Sequence, residues 1–113
     1  MNARINLDMK QLKIPIGGGK KVFPHDIIYL KANANYSEVY LVNGKHLLVS
    51  TTLKKLENRF LNLGFFRTHR SSLINLSFVK NYTSYFDGGV IELSNNETII
   101  VSRRKNRILK TLI

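Results

Sequence analysis

The sequence contains no cysteine, which excludes a disulfide framework and a thiolate metal site. It also has no apolar run near the roughly 18 residues that a membrane-spanning helix needs. The first ten residues, MNARINLDMK, lack the apolar segment of a signal peptide. We therefore expect a cytoplasmic protein without a membrane partner.

Acidic side chains are scarce, with seven Asp and Glu among 113 residues. The glutamates show no paired spacing of the kind that acid–base catalysis uses. The three histidines, His25, His46 and His69, form no metal-ligand pattern. The sequence therefore predicts neither an enzyme nor a metal or cofactor site.

Positive charge is abundant, because eighteen Lys and Arg bring the formal net charge to +11. Such an excess opposes compaction through self-repulsion and is typical of proteins with a polyanionic partner. Nucleic acid is the leading candidate, and an anionic membrane surface is the second. A chain of this length fits one hydrophobic core. We expect a single domain over residues 1–113, with residues 1–10 loosely ordered because they show no clean period.

Short apolar or alternating segments recur between turn residues, at the spacing of about 8–12 residues that is typical of antiparallel, mainly β domains. The clearest turn signal is Asn43-Gly44, which favours a type I′ hairpin. We predict about nine or ten short strands. They include the ranges 11–16, 22–23, 26–32, 36–42, 45–50, 65–66, 79–86, 90–93 and 98–101.

Two helices are predicted from capping residues and apolar spacing. Residues 50–52 (STT) offer N-caps for a central helix that Gly64 closes. Its apolar stripe consists of Leu53, Leu56, Phe60 and Leu63. Ser102 can cap a C-terminal helix with core contacts at Ile108, Leu109 and Leu112. The expected fold is a compact antiparallel β assembly with one central helix and a C-terminal helix.

The stretch FFRTHRSSLINLSFVK, residues 65–80, places a polar run between two apolar segments. Residues 67–72 can all donate hydrogen bonds and include no acid, which suits an anion-reading turn. Arg70 can grip guanine O6 and N7 or a phosphate, and Ser71 and Ser72 suit phosphate oxygens. The alternatives are a solvated basic turn, and for His69 a structural bond to the backbone within the turn.

Three successive cations, Arg103, Arg104 and Lys105, occupy the predicted first turn of the C-terminal helix. The helix dipole disfavours each of them there by a few tenths to about 1 kcal/mol. Three such residues in a row indicate a bound anion, because helix N-termini and cations both attract phosphate. The alternative is a frayed helix whose charges face water.

A third candidate segment is residues 31–36 (KANANY). Turn formation alone explains Asn33 and Asn35. An asparagine side chain can also read adenine N6 and N7 as a bidentate partner.

Taken in order and spacing, these segments resemble the LytTR family of bacterial DNA-binding domains. The resemblance rests on FFRTHRSSLINLSFVK followed by IIVSRRK, with DIIYLKANANYSEVYLVNGK and LVSTTLKKLE upstream, and covers residues 13–112. It implies a β fold without a helix-turn-helix. It further implies sequence-specific double-stranded DNA binding in bacterial transcription regulation, through loops that enter the major groove.

The resemblance also implies roles for individual residues. The implied base contacts are Asn35, Arg70 and Arg104. The implied phosphate contacts are Thr52, Ser71, Ser102, Arg103 and Lys105, and we add Lys31, Tyr36, His69 and Arg107 as secondary candidates. Because LytTR domains often follow a phosphoacceptor receiver domain, we expect either the effector domain of a longer two-component response regulator or a stand-alone regulator.

An OB-type β-barrel that binds single-stranded nucleic acid or RNA is the main alternative, with Tyr29, Tyr36 and Tyr40 as stacking platforms. A ribosomal or protein-interaction module that uses charge alone is another. The sequence offers no heptad seam or long apolar patch for a stable dimer. A domain of this size buries roughly 600–1,000 Å² on DNA, too little to select one genomic site. We therefore expect a monomer in solution that pairs on direct repeats in DNA.

Overall fold

The computed structural model describes residues 12–113, which form ten strands and two α-helices. Short 3₁₀ turns lie at Pro24–Asp26 and Leu76–Phe78. The predicted mainly β fold with two helices is confirmed, whereas the expectation for residues 1–10 lies outside the described range. The elements are β1 Ile14–Gly17, β2 Lys20–Val22, β3 Ile27–Asn33, β4 Tyr36–Leu41, β5 His46–Val49, α1 Leu53–Arg59, β6 Phe65–His69, β7 Ser72–Asn75, β8 Val79–Tyr85, β9 Gly88–Leu93, β10 Thr98–Val101 and α2 Arg103–Leu112.

The strands form three antiparallel sheets. Five strands make the central sheet in the order β5-β4-β3-β7-β6, three make a second sheet in the order β10-β9-β8, and β1 pairs with β2. Both faces of the central sheet are covered, because successive side chains of β3 enter different cores. Leu30 belongs to the core shared with α1, whereas Tyr29 belongs to the core shared with the three-stranded sheet.

The core on one face of the central sheet is closed by α1. The side chain of Thr52 caps this helix by accepting a hydrogen bond from the Lys55 backbone N–H at 3.4 Å. The predicted apolar stripe is confirmed, since all four of its members are buried, although the helix itself ends at Arg59 and a turn leads on to Gly64. The buried members are Leu53, Leu56, Phe60 and Leu63.

The core on the other face includes Leu109 of α2. The predicted core contacts Ile108 and Leu112 are wrong, since these side chains are 43% and 59% exposed. The helix instead buries Asn106, whose Nδ2 donates to Ser84 Oγ at 2.9 Å and whose Oδ1 accepts from the Tyr82 hydroxyl. Because both polar atoms of the Asn106 side chain are hydrogen-bonded, the residue can be buried without leaving an unsatisfied polar group in the core.

The predicted hairpin at Asn43-Gly44 is confirmed, but the predicted turn type, I′, is wrong. The Gly44 N–H donates to Leu41 O at 3.1 Å, and the Leu41 N–H donates to Lys45 O at 2.9 Å. Only Gly44, with φ of 86°, has a positive φ in this turn. The hairpin is therefore a type I turn on Val42-Asn43 followed by a left-handed residue, a common three-residue connection.

The polar run at residues 67–72 is mostly strand, which corrects the predicted loop. Strand β6 continues to His69 and β7 starts at Ser72, so the turn contains only Arg70 and Ser71. Thr68 and Ser72 are buried, and their hydroxyl oxygens lie 2.8 Å apart in a hydrogen bond. Two hydroxyls that bond to each other can enter a core as a pair, and this pairing cannot be seen in the local sequence.

Candidate nucleic-acid interface

Three connections lie at the same end of the central sheet, and we call them the reading edge: turn 34–35, turn 70–71 and segment 50–52. Strand register places them together, because Lys31 pairs with Ser72 and Ser37 pairs with Val49. The Ala32 N–H donates to Ser71 O at 2.9 Å, and Ser37 Oγ donates to Thr51 O at 2.7 Å. Asn35, Thr52 and Ser71 therefore share one end of the molecule although they are far apart in the chain.

The start of α2 joins the same region through β6. The Ser102 N–H donates to Thr68 O at 3.0 Å, which fixes the helix entry beside the edge strand. The Ser102 side chain caps the helix by accepting from the Lys105 N–H at 3.3 Å. The predicted cap is confirmed, and the bond to Thr68 places the start of α2 next to the end of β6 that leads into turn 70–71.

Between α2, β6 and α1 lies a cleft of about 570 Å³, which we call the basic cleft. It brings together the predicted residues His69, Arg70, Ser102, Arg104 and Lys105. Two further residues, Glu57 and Arg67, complete its lining. Four cations thus face one carboxylate, an arrangement that attracts polyanions.

Arg67 holds the floor of the basic cleft, a role that sequence reasoning missed. Its Nη1 lies 2.8 Å from Glu57 Oε1, its Nε donates to His69 O at 2.9 Å and its Nη2 donates to Arg70 O at 2.5 Å. Arg67 therefore neutralises the acid and ties down the turn that carries Arg70. No local signal reveals this role, because Glu57 lies on a helix face that the sequence presents as solvated.

His69 supports the same turn as a hydrogen-bond acceptor. Its Nδ1 accepts from the Ser71 backbone N–H at 3.0 Å, as the structural alternative proposed. Burial lowers the pKa of His69, and the nearby charges of Arg67 and Arg70 lower it further. Both effects favour the neutral imidazole that this hydrogen bond requires.

The structure separates Arg103 and Arg107 from the basic cleft. Both line another cleft of about 340 Å³ on a different side of α2, together with Tyr85, Phe86, Asn106 and Lys110. We call this second surface the hairpin flank, because the β8–β9 hairpin forms one of its walls. Arg104 and Arg103, which are neighbours in sequence, thus face different surfaces.

The remaining candidates lie around the reading edge. Lys31 and Ser71 line a third groove, of about 210 Å³, together with Tyr29 and Glu97. Asn35 is exposed in its turn next to Ala34, which has a φ of 54°, and Tyr36 is 49% exposed. These side chains reach solvent beside the basic cleft without lining it.

The tyrosines named for the OB-type alternative do not form a stacking platform. Tyr29 is only 3% exposed, and its ring stacks on Tyr40 with centroids 4.5 Å apart. Burial, with smaller contributions from nearby glutamates, raises the pKa of both phenols. Because Tyr29 and Tyr40 already stack on each other, Tyr36 is the one of these three tyrosines whose ring could offer its face to a base.

Within residues 12–113, no group of three or more His, Cys, Asp or Glu side chains could hold a metal ion. None of the helices in that range has the length and apolar character needed to cross a membrane.

Comparison with known proteins identifies the family. The model of the LytTr DNA-binding domain matches residues 18–113, which is most of the chain. The chain belongs to the LytTR DNA-binding domain family. The resemblance seen in the motifs is thereby confirmed, and the LytTR chain is a DNA-binding domain of transcription regulation rather than a member of an enzyme family.

Individual relatives agree with this assignment. The chain is 28% identical over 102 residues to the sensory transduction protein LytT of Oceanobacillus iheyensis, covering 88% of this chain and 38% of that protein. It is 33% identical over 82 residues to the CO-responsive transcriptional regulator RcoM of Rhodospirillum rubrum, covering 70% of this chain and 34% of that protein. The LytTR chain thus spans little more than a third of these relatives.

A solved structure supports the fold. The LytTr DNA-binding domain of a Bacillus cereus protein described as a methyl-accepting/DNA response regulator superposes with a TM-score of 0.74. The match covers 89% of this chain and 94% of that chain at 19% identity. At this identity the likeness concerns the fold alone, and it confirms the predicted LytTR-like β assembly.

Proposed function

We propose that residues 12–113 act as one sequence-specific double-stranded DNA-binding unit in bacterial transcription regulation. In this proposal the turns of the reading edge and the start of α2 enter the major groove. The supporting observation is the basic cleft, where Arg70 and Arg104 meet although they are more than thirty positions apart in the chain. Within the described residues neither guanidinium pairs with a carboxylate, so both can bind DNA.

The proposed roles are those that the family resemblance implies, and the donor chemistry of the side chains supports them. Asn35, Arg70 and Arg104 contact base edges, because amide and guanidinium groups can bind bases bidentately. Hydroxyl and cationic side chains around them contact phosphates. The proposed phosphate contacts are Thr52, Ser71, Ser102, Arg103 and Lys105, with Lys31, Tyr36, His69 and Arg107 as secondary positions.

We also propose the partners of the domain. The domain binds direct repeats as two monomers, and a phosphoacceptor receiver domain controls it within a longer cytoplasmic parent protein. The support for a longer parent is that the LytTR chain covers 38% and 34% of two regulatory relatives. We expect phosphorylation of such a receiver to raise occupancy of the repeats by bringing two domains together.

Selection of bound duplexes from a random pool tests the proposal. We expect enrichment of two short direct-repeat motifs one helical turn apart, which places both domains on the same face of the duplex. Competition at equal salt provides the control. Single-stranded DNA that competes better than the selected duplex would contradict the proposal and favour the OB-type alternative.

Point variants separate base reading from phosphate anchoring. Arg70→Ala and Arg104→Ala should each cost about 1–3 kcal/mol on the selected site and relax discrimination at particular base pairs. Lys105→Ala should weaken selected and random duplexes alike and reduce the salt slope by roughly 0.9. Uniform losses across sequences for all three variants would show that base reading is assigned to the wrong residues.

A further inference from the structure

The helix α2 carries positive charge on two sides. Successive residues of an α-helix are rotated by about 100°, so positions i, i+4 and i+7 share a side. Arg103, Arg107 and Lys110 therefore lie together on the hairpin flank, whereas Arg104 and Lys105 face the basic cleft. No residue lining the hairpin flank is acidic, and within residues 12–113 none of its three cations has a carboxylate within 4.0 Å.

The hairpin beside these cations presents aromatic side chains to solvent. Tyr85 pairs with Gly88, which leaves Phe86 and Asp87 as a two-residue tip. The Phe86 side chain is 97% exposed and that of Tyr85 is 56% exposed. A fully exposed phenylalanine gains nothing from the core of its own domain, so its hydrophobic contacts are available to a partner.

The hairpin is also held firmly against α2. Asn106 joins the two elements through its hydrogen bonds to Tyr82 and Ser84. A Cβ atom on Gly88 would lie 2.7 Å from Val101 O, so the hairpin backbone packs directly on the strand that leads into α2. The β8–β9 hairpin and α2 are therefore joined as one rigid support for Phe86 and the three cations, so binding does not have to order the backbone that carries them.

We propose that the hairpin flank binds the sugar–phosphate backbone of duplex DNA outside the core recognition site. Arg103, Arg107 and Lys110 contact phosphates, while Phe86 packs against the apolar edges of the sugars. This inference rests on the proposed function and extends it by a second contact surface, with Phe86 and Lys110 as new DNA-binding residues.

Flanking DNA fits this surface better than an acidic protein does. Arg103 and Arg104 belong to the same first turn of α2, so a duplex held by Arg104 passes close to Arg103 and can continue over Arg107 and Lys110. A row of cations without acids matches the regular charge of a DNA backbone, whereas protein interfaces usually mix charges of both signs. Continuity with the basic cleft therefore favours DNA as the occupant.

A duplex-length experiment with the whole chain tests the inference. The selected duplex is used in two forms, trimmed to its core site and extended by about one helical turn of arbitrary sequence on each side. The test variant is Phe86→Ala/Lys110→Gln. The matched control is Leu61→Ala/Lys45→Gln, which removes the same charge and an exposed apolar side chain outside the hairpin flank, in the turns after α1 and β4.

We expect the unmodified chain to bind the extended duplex roughly three- to tenfold more tightly than the core duplex, with a salt slope steeper by about 0.9 for each added phosphate. The test variant should bind the core duplex normally and lose most of this gain, whereas the control variant should keep it. Circular dichroism and thermal unfolding should show both variants folded, because the replaced side chains are exposed.

Two results would overturn the inference: no gain from flanking DNA in the unmodified chain, or an undiminished gain in the test variant. The second result would point to a protein as the occupant of the hairpin flank. Failure of the proposed function looks different, because the unmodified chain would then show no preference for the selected core over a random duplex of equal length.

Discussion

At the residue scale, Arg67 links α1 to the turn that carries Arg70. We predict that Arg67→Met lowers the free energy of unfolding by about 1–3 kcal/mol, because the Glu57 carboxylate and the backbone carbonyls of His69 and Arg70 lose their hydrogen-bond donor. Specific DNA affinity should fall more than random-duplex affinity, since Arg70 loses its support. Chemical denaturation and binding to selected and random duplexes measure these effects.

Arg59→Met is the matched control for this variant. It removes the same charge, but among residues 12–113 Arg59 donates only to Pro15 O, at 3.0 Å, and does not line the basic cleft. If Arg67→Met and Arg59→Met reduced specific and random binding by the same factor, Arg67 would contribute only charge.

His69 makes the reading edge sensitive to acid. Its folded-state pKa lies below the unfolded value near 6.5, so protons bind preferentially to the unfolded chain. The stabilisation by neutral His69 is therefore complete above pH 6.5 and is lost as the pH falls through the folded-state pKa. Protonation also turns the Nδ1 acceptor into a donor that faces the Ser71 N–H.

We predict that His69→Asn removes this part of the acid sensitivity. An asparagine oxygen can accept from the N–H two residues later in an Asx turn without titrating near neutral pH. Unfolding curves from pH 5 to 8 should show a smaller loss of stability on acidification than in the unmodified chain. An unchanged pH profile would show that His69 is not the source of the acid sensitivity.

At the element scale, α2 is positioned by its close approach to β9. A Cβ atom on Gly89 would lie 2.5 Å from Asn106 Oδ1 and 3.1 Å from Thr83 O. We predict that Gly89→Ala destabilises the fold by about 1–3 kcal/mol through overpacking. Because α2 carries Arg104, DNA affinity should fall as well.

A double-mutant cycle identifies the cause. Asn106→Ala removes the side chain that the new methyl group would meet, so the double variant should be less destabilised than the sum of the single variants. Additive losses would mean that Gly89 is required by the strand backbone and not by the contact with α2.

At the scale of the whole molecule, the +11 charge should keep free domains apart. Two highly exposed apolar side chains, Phe86 and Leu61, lie in separate turns, one after β8 and the other after α1. We predict a monomer in sedimentation at micromolar concentration and two domains per direct-repeat duplex at saturation. A tight dimer without DNA, or saturation at one domain per full site, would contradict this prediction.

Most helices and strands could be predicted from the sequence alone, because the signals for their starts and ends are local. Thr52 and Ser102 cap the two helices as expected, and β10 has the bounds predicted for it. The spacing of Leu53, Leu56 and Phe60 was enough to identify the buried face of α1. The family could also be identified from the sequence, because each motif is a continuous stretch of the chain and the motifs follow one another in a characteristic order.

The contacts between side chains that are distant in sequence could be seen only in the folded structure. Arg103 and Arg104 are adjacent in sequence, yet a rotation of about 100° per residue turns them towards different surfaces. Asn106 replaces the predicted Ile108 in the core because Tyr82 and Ser84, on a distant strand, supply its hydrogen-bond partners. Arg67 bonds both to the backbone of the Arg70 turn and to Glu57, which α1 brings within 2.8 Å of it. Such pairings depend on strand register and helix placement over long separations, which local sequence patterns do not encode.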